Sequence, residues 1–335
     1  MSRTECVGIK GLFGYVGQAV LILALSLPAS GDAIHPASFY SWLHTLAANN
    51  GSPDSGRWLE DYLSSIIPGA VVQFGYDALY LQEAGRWIEA VSSYDRALAL
   101  DPGNLDYLSG RGFCNFRAGR YESAVDDLTR VLAMDSLRIG DYVTLGRAQS
   151  ENGNLNEAYY WFTAGIEMSN DADELSDLYF YRARCYRLAG DYASAHSDLD
   201  QAIDWDPTAA LPHSGKGELY YLTMRDEEAV ESFSKAIELG LEDDESLADV
   251  LFHRALSYME LREYDQAVVD ITELLRHSPG RVNAYYYRGL SYFCQGDDEH
   301  CTDDLEHFLQ YATDPQLIPE ARSILGEAEA FRQQR

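Results

Sequence analysis

Lysine is nearly missing from this 335-residue chain: Lys10, Lys216 and Lys235 are the only ones, so almost all of the 25 basic side chains are arginines. Acids outnumber them at 54, for a formal charge of -29, which excludes a nucleic-acid partner held by neutralising its phosphates. The acidic excess is spread along the chain and fits either a solvated acidic coat or a basic partner. No C-x-x-C pair is present, so the metal and redox sites built on that spacing are excluded. A phosphate-binding Walker loop, a nucleophile elbow and a zinc-protease helix are also absent, and the sequence implies neither a cofactor nor catalysis. Cysteine is sparse, and Cys114 and Cys185 fill the same slot of two different repeats while Cys301 takes a slot held elsewhere by alanine. With Cys294 they read as small buried thiols, not as a disulfide framework.

The first thirty residues differ from the rest. Arg3 and Lys10 precede the apolar run from Gly11 to Leu27, and the small-residue segment PASGDA follows it. Residues 1–31 resemble a secretory signal peptide with a cut after Gly31, or after Ala33. The alternative is an uncleaved membrane anchor, since a span needs about 17 to 25 apolar residues.

After residue 70 the sequence repeats itself. Segments such as AGRWIEAVSSYDRALALDPG, AGRYESAVDDLTRVLAMD and AGDYASAHSDLDQAIDWDP share a small residue after a turn, followed by apolar residues at helical spacing. Taking that small residue as the anchor gives Ala90, Ala124, Ala158, Ala195, Ala229, Ala267 and Cys301, at steps of 34, 34, 37, 34, 38 and 34. Five residues before the anchor stands Gly85, Gly119, Gly153, Gly190 or Gly296, where a helix-to-helix turn wants positive φ; Met224 and Arg262 hold that place in repeats five and six. Twelve before it comes a second small residue, Ala78, Gly112, Gly146, Ala183, Gly217, Ala255 or Gly289, where two helix backbones approach closely. Four after it is a large apolar one: Tyr94, Leu128, Phe162, Leu199, Phe233, Ile271 or Leu305. The extra residues of the two long steps coincide with the acidic stretches 170–177 and 241–249, which places them between hairpins. Neither stretch has the glycine and terminal glutamate of an EF-hand calcium loop.

These slots resemble the tetratricopeptide repeat family over about residues 71–315, in the subtype that carries arginine before the small slot, here Arg111, Arg182, Arg254 and Arg288. The resemblance implies an all-α fold, a right-handed superhelical α-solenoid of antiparallel helix pairs with a concave groove. Each hairpin exposes an apolar face that its neighbour must cover, so the residues by themselves also demand a one-dimensional stack. Ile324, Leu325 and Ala328 give residues 316–335 the pattern of a closing amphipathic helix. Residues 36–70, with Phe39, Trp42, Leu43 and Leu46 on one face, read as a capping hairpin, a degenerate repeat or a partner-specific element.

In this family the first helix of each hairpin lines the groove, and positions fifteen, eleven and eight before the anchor resemble its inward-facing sites. Repeats two to four present Phe113, Phe116, Arg147, Phe180, Arg184 and Arg187, with Arg117 beside Phe116. Repeats five to seven present Tyr221, Phe252, Leu256, Met259, Tyr286, Leu290 and Phe293. An arginine-rich half and an apolar half suit a protein or peptide ligand, with arginine forking onto carboxylates. The bland alternative is that the aromatics pack between hairpins and the arginines pair with nearby acids such as Glu151 or Asp177. The lysine and asparagine clamp of chaperone-binding members is missing, so chaperone tails are not implied. His300, Asp303, Asp304 and His307 share one helix face and form a weak metal candidate, on a helix whose outer face is solvated.

The sequence therefore points to a non-catalytic interaction scaffold outside the cytoplasm, periplasmic, secreted or membrane-anchored. A cytoplasmic co-chaperone or assembly adaptor is the alternative, and a metal-dependent enzyme accessory is the reading from another class. Amino-terminal sequencing of the exported protein is expected to start at Asp32 or Ile34; an intact Met1 end contradicts cleavage.

Overall fold

The computed structural model describes residues 71–241 and 243–334. The expected leader over 1–31 and the expected capping hairpin over 36–70 lie outside the described residues. Among the described residues there are fifteen helices and no strand. They are α1 (residues 71–83), α2 (Trp87–Leu100), α3 (Leu105–Arg117), α4 (Tyr121–Met134), α5 (Ile139–Glu151), α6 (Leu155–Met168) and α7 (Ala172–Leu188). There follow α8 (Tyr192–Trp205), α9 (Ala210–Leu222), α10 (Asp226–Leu239), α11 (Asp244–Glu260), α12 (Tyr264–His277), α13 (Val282–Gln295), α14 (Asp298–Tyr311) and α15 (Leu317–Gln334). None of the described helices is long and apolar enough to cross a membrane.

The chain divides into two compact units, Met1–Ala78 with Ser93–Gly103, and Leu79–Ser92 with Asn104–Arg335. In the described part of the first, Val71, Ala78, Tyr94, Ala97 and Leu98 are buried, and the Arg96 guanidinium lies 5.8 Å from the centre of the Phe74 ring. The second holds six helical hairpins, from α3/α4 to α13/α14, and α15, stacked as a solenoid.

The anchor slot is sealed: Ala124, Ala158, Ala195, Ala229, Ala267 and Cys301 are all 0% exposed. The other small slot receives the large side chain of the same hairpin. A Cβ built on Gly146 would stand 2.4 Å from the Phe162 ring, and one on Gly217 would stand 2.5 Å from the Phe233 ring. Where the large residue is Leu199 or Ile271, alanine is tolerated opposite, at Ala183 and Ala255. The helix pair is thus as close as its glycines allow.

The arginines of the subtype are struts. Arg111 donates two hydrogen bonds to Asp127 (2.9 and 2.6 Å), Arg182 to Asp198 (2.7 and 2.8 Å), Arg254 to Asp270 (both 2.7 Å) and Arg288 to Asp304 (2.7 and 2.8 Å). Each pair joins the two helices of one hairpin with the planar fork that suits guanidinium to carboxylate. The remaining nitrogen of three of them reaches back to the preceding second helix, at Thr163 (3.2 Å), Ser234 (2.9 Å) and Thr272 (3.1 Å). The Asp304 carboxylate holds the Arg288 guanidinium above its ordinary range.

One expectation needs correction. The extra residues of the long steps do not sit between hairpins; they lengthen the first helices α7 and α11 to 17 residues, where α3, α5 and α9 have 13. Three or four residues make one helical turn, so adding them to a helix preserves its register against the neighbours. The acids then cap the added turns: Asp171 accepts from the amides of Asp173 and Glu174, and Asp243 from that of Ser246. Acidic side chains in a first turn also face the positive end of the helix dipole.

At the carboxyl end α15 packs on α13 and α14, burying Ala321, Ile324 and Ala328 against Cys301, Leu305 and Phe308. Cys114, Cys185 and Cys301 are buried free thiols; Cys294, expected to be buried with them, is exposed. Burial pushes the Cys114 thiol up to about 11.

The five turn glycines have φ between 70° and 83°, and Met224 (φ 56°) and Arg262 (φ 60°) are the described non-glycines with positive φ. The turn bonds are the same with or without glycine: Arg120 N–H donates to the Asn115 carbonyl at 2.8 Å, and Arg225 N–H to the Tyr220 carbonyl at 2.9 Å. The left-handed conformation is imposed by the closure of the hairpin, and a side chain there is strained. Met224→Gly and Arg262→Gly are each expected to stabilise the protein by about 1 kcal/mol, seen as a raised urea midpoint. Gly146→Ala is expected to cost about 2 kcal/mol in the same titration, because its methyl group overlaps the Phe162 ring.

Candidate functional site

The stack has an inner and an outer row of helices. First helices of successive hairpins touch one another along the series α3, α5, α7, α9, α11 and α13, while the second helices make at most sparse contact across the same gaps. Rows on the inside of a curved stack lie closer together than rows on the outside, so the first helices form the concave face of the second unit.

On that face lies a cavity of about 330 Å³ bounded by α3, α5, α7, α8, α9 and the amino-terminal end of α11. Arg117, Arg147, Phe180, Arg184 and Arg187 line it, which brings together five of the residues expected from the sequence. Repeat position accounts for this: Arg147 and Arg184 stand eleven before their anchors in consecutive hairpins, and Arg187 stands one turn further along α7.

Arg147 is held by stacking. Its guanidinium carbon lies 4.8 Å from the centre of the Phe116 ring on α3 and 4.7 Å from that of Tyr181 on α7, between the hairpins on either side. Arg117 lies 4.7 Å over Trp87, and Arg184 6.0 Å over Tyr181. Cation–π contact occupies the face of the guanidinium and leaves its N–H donors, which lie in its plane, free to bond. Arg117, Arg147 and Arg184 form no hydrogen bond or ion pair with another described residue. Arg187 is engaged loosely, 3.4 Å from Glu218. The expected pairing of these arginines with Glu151 or Asp177 is not among the ion pairs of the described residues.

Acids at the rim are otherwise occupied. Asp243 caps α11, and Asp249 pairs with Arg281 at 2.6 Å. Ser214, Glu218, Ser246 and Tyr181 also line the cavity. Ser214 and Glu218 occupy the inward positions of repeat five, and being neither arginine nor aromatic they carry little groove signal in the sequence. Ser246 arrives through the added turn of α11, and the acidic 38-residue step was its only signal.

Other expected residues lie elsewhere. Phe116 is only 8% exposed and packs with Ala124 and Ala148 between hairpins, so it supports Arg147 and does not face the groove openly. Tyr286 is 2% exposed, packed among Cys301, Leu305 and Phe308 and bonded to Glu320 of the closing helix, which removes it from the groove. Phe113 is half-buried, edge-on to Trp87 at 6.0 Å. Tyr221 and Phe252 stand beside His253, and Phe252 also meets Tyr287 at 5.3 Å. Met259 and Phe293 are half-buried against the cores of the sixth and seventh hairpins. The apolar half is therefore spent on the seams between hairpins, and none of its residues lines the arginine cavity.

The metal candidate is dispersed. Asp304 is turned inward to Arg288, His300 bonds to Asp297 at 2.8 Å, and His307 lies 4.0 Å from the Tyr285 ring. No group of three ligands able to hold a metal occurs among the described residues.

Comparison with known proteins follows the same lines. A family model described as tetratricopeptide repeat matches residues 78–138 and 252–299, and a second of that description matches 176–209. Among curated proteins, tetratricopeptide repeat protein 13 of Homo sapiens is 27% identical over 165 residues, 48% of this chain and 19% of that protein. Hsp70-Hsp90 organizing protein 3 of Arabidopsis thaliana is 20% identical over 222 residues, 66% of this chain and 39% of that protein. This chain thus spans well under half of either relative. The solved tetratricopeptide repeat protein from Parabacteroides merdae has a TM-score of 0.55 at 17% identity, covering 77% of this chain and 99% of its own, which shows a shared fold.

Proposed function

Because this chain is a tetratricopeptide repeat protein, we propose that it is a non-catalytic scaffold that holds a segment of another protein against its concave face. The observation that carries the reading is the arginine cavity: three guanidinium groups on the inner row of helices form no hydrogen bond or ion pair among the described residues, although the chain has 54 acids. Donors held that way are available to a ligand and are not needed by the fold. A cavity of about 330 Å³ suits a few side chains of an extended segment, so the rest of the partner must lie outside it.

We take the scaffold to act outside the cytoplasm, because the leader-like residues 1–31 support export. A co-chaperone adaptor is the second reading, favoured by the similarity to Hsp70-Hsp90 organizing protein 3. The missing lysine and asparagine clamp weighs against it.

The full chain as bait, as wild type, with Arg184→Glu plus Arg187→Glu, and with Gln201→Glu on the exposed side of α8, tests the groove. Partners are expected to be kept by wild type and Gln201→Glu and lost from the double variant, whose circular dichroism melt should match wild type. Partners kept equally by all three overturn the reading, and capture of a chaperone would favour the second one.

A further inference from the structure

Resting on the concave-face reading, we propose that the segment taken by the arginine cavity is acidic, and that it is recognised by aspartate or glutamate side-chain carboxylates forking onto the edge of Arg147, with Arg117 and Arg184 flanking.

Two sets of arginines on the first helices contrast. Arg111, Arg182, Arg254 and Arg288 are consumed as struts, each saturated by an aspartate sixteen residues on. Arg117, Arg147 and Arg184 lie over aromatic rings and form no ion pair among the described residues. In a chain of formal charge -29 that leaves an electropositive patch on an otherwise anionic protein.

Stacking between Phe116 and Tyr181 fixes the guanidinium plane of Arg147 before any ligand arrives. Less side-chain freedom is then lost on binding, and the unoccupied edge presents parallel donors that match a carboxylate. The apolar residues of repeats five to seven lie outside this cavity: Tyr286 is buried among Cys301, Leu305 and Phe308, and Phe252 and Phe293 are half-buried against their own hairpins. What sets this cavity apart is its four arginines, on walls that also include Phe180, Leu219 and Val250.

A carboxylate is favoured over a phosphate by the rim. Glu218, Asp243 and Asp249 stand among the lining residues with the four arginines, so the local positive excess is small. A singly charged group fits that balance, and a doubly charged one meets repulsion from the rim. Side chains of an extended segment, not a free carboxyl terminus, are the committed source, because the cavity lies in mid-array and nothing about it requires a chain end.

Fluorescence anisotropy on the full-length chain reads this directly, with three labelled six-residue probes, all acetylated and amidated at their ends: hexaglutamate, hexaglutamine, and a glycine–serine peptide carrying two phosphoserines. Hexaglutamate is expected to bind roughly tenfold or more tightly than hexaglutamine, and Arg147→Met or Arg184→Gln to weaken it roughly tenfold, as loss of a charge-assisted bond implies. Arg322→Gln on α15, away from the cavity, should leave it unchanged. Should Arg147→Met fail to fold, Arg184→Gln carries the test. Equal binding of hexaglutamate and hexaglutamine, or binding of the phosphoserine probe alone, overturns the proposal. If hexaglutamate does not bind while the bait assay still loses its partner through Arg184→Glu plus Arg187→Glu, the acidic class falls and the groove stands. If the bait keeps its partner, the groove itself falls.

Discussion

The contact between a large side chain of one helix and a glycine or alanine of its pair is the constraint on which the rest of this structure depends. Phe162 against Gly146 and Phe233 against Gly217 leave no space for a single added carbon, and the anchors from Ala124 to Cys301 are wholly buried. Close packing at two points fixes the separation and rotation of a hairpin, and repetition then fixes the stack. Because each hairpin touches only its neighbours, an error at one point propagates along the array and cannot be absorbed by a common core.

That spacing gives the arginine struts their geometry. A guanidinium reaching from the first helix to an aspartate on the second needs the two helices at one distance, and all four struts show paired bonds between 2.6 and 2.9 Å. Arg182, Arg254 and Arg288 also bond to the preceding hairpin, so the strut couples stacking to pairing. The same residue type does opposite work a few positions away. A strut arginine is saturated by a carboxylate in the repeat, whereas Arg147 lies over rings on both sides and forms no ion pair among the described residues. The division between structural and available charge follows from which slot the arginine occupies.

Much of the fold was legible because its slots repeat. Anchor, turn and large positions could be aligned by eye, and even the irregular turn residues Met224 and Arg262 take the backbone conformation of the glycines they replace. The struts were legible in principle too: Asp127, Asp198, Asp270 and Asp304 each stand sixteen residues after an arginine, but that signal appears only when two slots are compared and not one. The site was less legible. Position in the repeat identifies the helix face within about one residue, and one residue on a helix is a rotation of about 100°. That is enough to turn Phe116 and Tyr286 from the groove into the seams beside it. Whether an aromatic side chain points at solvent or at the next hairpin is decided by the neighbour, which a single repeat does not contain.

The two long steps show how an array acquires an individual site without losing its regularity. An insertion of three or four residues in a turn would change the angle between hairpins; placed at the head of a first helix it adds one turn and leaves the packing below untouched. In α11 that added turn carries Ser246 to the edge of the arginine cavity, with Asp243 at its cap and Asp249 one turn further along tied to Arg281. Asp243 is bonded within its own helix, Asp244 to His277 of α12 and Asp249 to Arg281, and none of the three pairs with an arginine of the cavity among the described residues. The guanidinium groups on α5 and α7, three and two hairpins back from α11, coexist with these carboxylates because each carboxylate is bonded elsewhere.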